Sequence, residues 1–264
     1  MKKKLPLLLV LPAMMLSSCG YGPEVTDEST KAELLSEIAE KSSKIKNLVM
    51  KMTSKQTAYD YDLKKNVSTD GTLIYSANSD GEMYMYTSAT TSEGEKTEET
   101  VYSVMDKDKR SVLAVQEYNP ETKKNETMFY GENEASLGVF LFLVPILLYS
   151  TYMNPETYVS SLTKDSTLAT ASLKLDGDIK YYSRGAGNLT IVAETSTTKE
   201  VKEDDGEQSI HEISTVTYDN YLISTVQIED KTNKGNTNKS TITFNFPENL
   251  AIDLPSSWLA QMSK

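Results

Sequence analysis

The feature that most restricts the fold of this chain is a run of seventeen residues near its midpoint, Leu137 to Met153, flanked on both sides by short stretches of alternating polar and apolar residues. The run reads L-G-V-F-L-F-L-V-P-I-L-L-Y-S-T-Y-M. It falls short of the roughly twenty apolar residues a bilayer-crossing helix needs, and Gly138, Pro145, Ser150 and Thr151 interrupt it. A span would also put the two sets of alternating segments on opposite sides of a membrane. The run is therefore expected inside the fold, as an object the two halves cover, and Pro145 should kink or split it.

The flanks read as strands. Before the run, Tyr59/Tyr61/Leu63, Leu73/Tyr75 and Met83/Met85 each share a face, and Val101–Met105, Ser111–Tyr118 and Thr127–Tyr130 continue the series. Asp70-Gly71, Asp80-Gly81 and Glu93-Gly94 supply turns about ten residues apart, the spacing of an antiparallel meander. After the run, Asn154-Pro155-Glu156 opens a second helix through Tyr158, Val159 and Leu162. Strand candidates then resume from Ala169 to Phe246, with turns at Asp176-Gly177, Gly185–Gly187, Asp204–Gly206, Asp219-Asn220 and Lys234–Asn236. Ile252 and Leu254 make a short edge, and Ser256–Met262 a terminal helical turn. Ahead of all this, Leu34, Leu35, Ile38, Ile45, Leu48, Val49 and Met52 follow helical spacing from Lys31 to about Lys55, with Ser29 or Thr30 as the cap. The fold class is α+β: a curved antiparallel sheet of about ten to twelve strands, with an N-terminal helix and a mid-chain helical pair.

The first nineteen residues carry an address. Lys2, Lys3 and Lys4 precede an apolar segment from Leu5 to Leu16, as in a secretion signal. Leu16-Ser17-Ser18-Cys19-Gly20 then resembles the lipobox of bacterial lipoproteins, in which the cysteine receives a diacylglyceryl group and becomes the acylated, palmitate-bearing N-terminus. Residues 1–18 are read as the signal peptide, 19–30 as lipidated Cys19 and a flexible tether, and 31–264 as one domain. Two or more acyl chains hold a protein stably on a membrane, so the expected location is extracytoplasmic and membrane-anchored. Removing the first eighteen residues, which hold three lysines and no acid, takes the net charge from −11 to −14. A surface of that sign argues against nucleic acid as a partner.

Chemistry is sparse. One cysteine forms no internal disulfide, and one histidine builds no His-based zinc site. The acidic cluster Glu203, Asp204, Asp205 and Glu207 lacks the spacing of a calcium loop and reads as a solvated hairpin tip. No serine lies in a G-x-S-x-G or S-x-x-K setting, His211 sits mid-strand, and Gly185-Ala186-Gly187 lacks the Lys-Ser/Thr of a phosphate loop. Neither enzyme activity nor a cofactor is expected, and a monomer is.

The order of helix, meander, helical insertion and second meander resembles the LolA/LolB carriers and LppX/LprG-type lipoproteins. The resemblance is carried by Leu34–Met52, Leu137–Leu162 and Ser240–Pro255, S-T-I-T-F-N-F-P-E-N-L-A-I-D-L-P. It implies a half-barrel whose helices plug the concave face, and a lipid-type ligand held between sheet and helices. Leu73, Met83, Met85, Phe140, Leu143, Leu147, Ile242 and Phe244 are the candidate lining of that seat. The arginine with which the periplasmic carrier receives lipoproteins has no matching position. The competing expectation is a surface scaffold with a filled core, in which the same residues are packing alone.

Overall fold

The computed structural model describes residues 20–60, 63–105, 111–119, 121–130, 142–163, 166–168, 171–199, 208–233 and 235–258. Helix α1 (Glu28–Ser42) leads into a meander of β1 (Leu48–Asp60), β2 (Lys65–Ala77), β3 (Met83–Thr91), β4 (Lys96–Met105), β5 (Ser111–Asn119) and β6 (Lys124–Tyr130). Helices α2 (Leu143–Met153) and α3 (Pro155–Thr163) precede the second meander. It comprises β7 (Ser166–Leu168), β8 (Ala171–Gly185), β9 (Asn188–Lys199), β10 (Gln208–Asp219), β11 (Leu222–Thr232) and β12 (Thr237–Asn245). All twelve strands form one curved, unclosed antiparallel sheet, in the order β6-β5-β4-β3-β2-β1-β12-β11-β10-β9-β8-β7. The first and last strands of the chain thus pair at its centre, Met50 opposite Phe244 and Met52 opposite Ile242.

The register aligns one apolar row across the inner face. From β6 it runs Met128, Val115, Val101, Met85, Tyr75 and Met50 to Phe244. One level along, Leu73, Met52, Ile242, Val226, Val216, Ile191 and Tyr181 continue it to β8. Directly opposed side chains of this kind each contribute a few tenths of a kcal/mol, up to about 1. Leu34 and Ile38 of α1, Phe142, and Tyr152, Met153 and Tyr158 of the helical pair pack onto the row as one cluster. The helices therefore cover the concave face, as the resemblance implies.

Several local expectations are overturned. Helix α1 stops at Ser42, and Leu48, Val49 and Met52 belong to β1. Positions 48 and 52 satisfy helical and alternating periods alike, and pairing with β2 and β12 decides for the strand. The cap is Asp27, whose carboxylate accepts from the Thr30 backbone N–H at 2.8 Å and the Thr30 hydroxyl at 2.7 Å. Asp70-Gly71 and Asp176-Gly177 are not turns but strand interiors, in β2 and β8. Pro145 does not kink α2: it occupies the first turn, where a backbone N–H has no helical acceptor anyway. The break comes at Asn154, whose side chain accepts from Glu156 N (2.9 Å) and Thr157 N (3.2 Å) to start α3. No strand forms at 252–254. Instead Ile252, Leu254 and Trp258 are buried against Val104, Val112 and Ala114, with Tyr84, Tyr102 and Phe129 beside them. This is a second, smaller core on the opposite face, since Tyr84, Tyr102, Ala114 and Phe129 are mutual neighbours of the other parity.

Candidate functional site

The candidate site is the seam between the concave face and the pair α2–α3. Among the nominated lining residues, Met85 and Ile242 are buried in it, and Leu73, Met83 and Phe244 are half-buried against the same cluster. Leu143 and Leu147 turn the other way and are 43% and 54% exposed. Phe140, the signal residues Leu16, Ser17 and Ser18, Cys19 and the acidic cluster at 203–207 lie outside the described residues.

Five aromatic residues outside the nominated lining hold the helices down. Phe142, fully buried, meets the Tyr75 ring at 6.1 Å, and the Tyr152 and Tyr158 rings lie 5.3 Å apart. Tyr218 donates its hydroxyl to the Tyr152 carbonyl at 2.8 Å. That carbonyl lies in the last turn of α2, and the N–H four residues on, that of Glu156, is engaged by Asn154. Tyr158 and Ser214 share a buried hydroxyl–hydroxyl bond of 2.7 Å. Burial pushes the phenols of Tyr75, Tyr149 and Tyr158 up to about 12, and those of Tyr152 and Tyr218 further in the same direction. They are neutral at any ordinary pH and act as apolar bodies with one polar tip.

Two like-charged pairs flank the seam on the same face. Glu212 stands opposite Asp230, and Glu99 opposite Glu117. Burial first, and the facing carboxylate second, raise both Glu212 and Glu99 above the usual carboxylate range. Asp230 is tied by the Asn238 side-chain amide at 2.8 Å.

His211 stands on the outer face, with Nδ1 3.4 Å from Ser196 Oγ and Nε2 3.4 Å from Glu194 Oε1. The trio has the residue types of a nucleophile–base–orienter relay, but both contacts exceed a working hydrogen bond. The three residues lie in the paired ladder of β9 and β10, where neighbouring N–H groups are committed to strand pairing and do not converge on an oxyanion. Among the described residues no group of three His, Cys, Asp or Glu side chains is placed to hold a metal ion. No helix among them is long and apolar enough to cross a membrane.

What fold and seam define is a class: an open antiparallel half-barrel with helices seated in its concavity. No family model matches the chain, and no curated protein does. Among solved structures it is similar to a DUF1329 family protein from Desulfovibrio piger, at 8% identity over 83% of this chain and 92% of that one, with a TM-score of 0.25. A likeness of that size carries no argument about fold or function.

Proposed function

We propose that this chain is an extracytoplasmic lipoprotein, held to a bacterial membrane through Cys19, that binds an apolar ligand such as a lipid acyl chain without catalysis. The ligand's seat is the seam beneath α2 and α3, lined by Leu73, Met83, Met85, Ile242 and Phe244. The observation that carries this reading is the character of α2. Its eleven residues include no charged side chain, and it is apolar on both sides: Tyr152 and Met153 face the sheet while Leu143, Val144 and Leu147 are exposed. A helix apolar all round belongs in nonpolar surroundings, and an exposed apolar stripe beside a covered apolar seam is what a displaceable cover would present.

A second reading has its own support. Phe142 and Ile242 are fully buried, and four hollows of 250 to 490 Å³ among the described residues are lined by other residues, around Glu117–Met128, Asn47–Asp253, Ser196–Asn233 and Gly20–Asp219. A filled seam with α2 as a fixed strut would serve a scaffold. Mass spectrometry of lipids extracted from the purified lipidated chain separates the two. A noncovalent lipid, in addition to the acyl groups on Cys19, is the expected result. Recovery of none, together with no uptake of an apolar dye, would establish the filled scaffold instead.

A further inference from the structure

Residues 21–27 are not a free tether. Val25 N donates to Tyr181 O at 2.7 Å, Ser183 N donates to Pro23 O at 3.0 Å, and Glu24 pairs antiparallel with Tyr182. The Tyr21 ring lies 5.8 Å from that of Tyr182. Gly22 has φ +93°, and a Cβ there would stand 2.5 Å from Ser183 O, so the backbone approaches closely where only glycine fits. Asp27 then caps α1. From Gly20, which lines a hollow with Tyr182, Arg184 and Asp219, the chain is already part of the body.

The strap lies at one edge of the sheet. It holds the last residues of β8, beside the turn at 185–187, and Tyr221 N donates to Gly187 O at 2.7 Å, joining that turn to the one at 220–221. Cys19 is bonded to Gly20, and consecutive Cα atoms are about 3.8 Å apart. Acyl chains on Cys19 would therefore leave the protein beside Tyr21, Tyr182 and Arg184. Were Gly20 to Asp27 a free coil, its eight residues would give a root-mean-square reach of roughly 14–17 Å, and the body would tumble above the membrane.

We propose that the sheet edge carrying the turns at 185–187 and 220–221 lies directly against the bilayer surface, held there by the strap, with the lipid headgroup region as its partner. The inference rests on lipidation of Cys19. The chemistry of the edge fits the site: Tyr21, Tyr182 and Tyr221 are half-buried tyrosines of the kind that settle at headgroup level, and exposed Arg184 can reach lipid phosphates. The opposite edge, with the turn at 92–95, then points away from the membrane.

The test places a fluorophore at Ala186→Cys or, on the opposite edge, at Glu95→Cys, in the mature lipidated protein on phosphatidylcholine vesicles containing a headgroup-spin-labelled lipid. Acylation of Cys19 leaves the introduced thiol as the one to label. Quenching severalfold stronger at 186 than at 95 is expected. Gly22→Val, which forces the strap off β8, should bring the two values together. Equal quenching at both sites in the unaltered strap, or stronger quenching at 95, overturns the proposal. So does a Gly22→Val protein whose Val25 and Ser183 amides exchange freely while the quenching ratio stays unchanged. An intact mass without acyl groups on Cys19 is a different failure: it removes the anchor reading, and this inference with it.

Discussion

The bond between Tyr158 and Ser214 is the most searching point at which to test how the helical pair is fixed. Both hydroxyls are buried and 2.7 Å apart, and they join α3 to the middle of β10 across a sequence separation of 56. Removing one partner leaves the other unsatisfied in a dry setting, which costs about 1–3 kcal/mol; removing both replaces a hydroxyl pair by apolar groups and is nearly neutral on the polar side. Tyr158→Phe and Ser214→Ala should each lower stability by about 1–3 kcal/mol, and the double variant by clearly less than their sum. With a urea slope of about 3 kcal/mol/M for a chain of this size, each single change moves the midpoint by roughly 0.3–1 M. The assay is urea unfolding followed by far-UV circular dichroism and by the fluorescence of Trp258, the one tryptophan, whose ring packs edge-on against Tyr102 at 5.2 Å and Phe129 at 6.4 Å. Additive single losses, or singles with no loss, would refute the claim that α3 is docked through this bond.

Other outcomes follow from the same geometry. Phe142→Ala should cost about 3–5 kcal/mol, since the ring is fully buried, whereas Leu147→Asp, at a position 54% exposed, should stay within about 0.5 kcal/mol in the same denaturation assay. Asn47→Ala should lose about 2–4 kcal/mol, because its side chain donates to Pro247 O and Glu248 O and accepts from Ser79 N, tying the start of β1 to the β2–β3 turn and the exit of β12. Stability should fall as pH rises above about 4.5 through the raised folded-state range of Glu212 and Glu99, because the folded state binds their protons more tightly than the unfolded chain does. Glu212→Gln should flatten that slope and raise the urea midpoint at neutral pH.

Sequence patterning carried the architecture because strand alternation and turn residues are local. Asp80-Gly81, Glu93-Gly94, the glycines at 185–187, Asp219-Asn220 and Gly235 all fall between strands or at a strand's last residue, and six of those glycines and asparagines have the positive φ a turn requires. The same dipeptide misleads at Gly71 and Gly177, where glycine serves close approach: a Cβ would come 2.6 Å from Ser54 Oγ in one case and 2.9 Å from Thr195 Cγ2 in the other. A rule keyed to composition cannot separate those two uses. Of the seam, Met85, Ile242 and their neighbours are legible from alternation, whereas the exposed positions of Leu143 and Leu147 are not. A helix apolar on every side gives no sign of which side faces the sheet. Tyr218 to Tyr152 and Tyr158 to Ser214 were illegible for another reason, since each joins residues more than fifty apart that only the completed register brings together. The glycines and polar residues from Tyr21 to Val25 are those of a linker and give no sign of the strap, because the backbone groups that pair with it belong to β8, far along the chain.

An apolar ligand under α2 and α3 is detected by photo-crosslinking the lipidated protein with a fatty acid carrying a diazirine on its chain, and mapping the labelled residues by mass spectrometry. Saturable labelling at Leu73, Met83, Met85, Ile242 and Phe244 on the concave face is the expected result. Labelling confined to Leu143, Val144 and Leu147, or to the outer-face cluster around Tyr84, Tyr102 and Trp258, would contradict it.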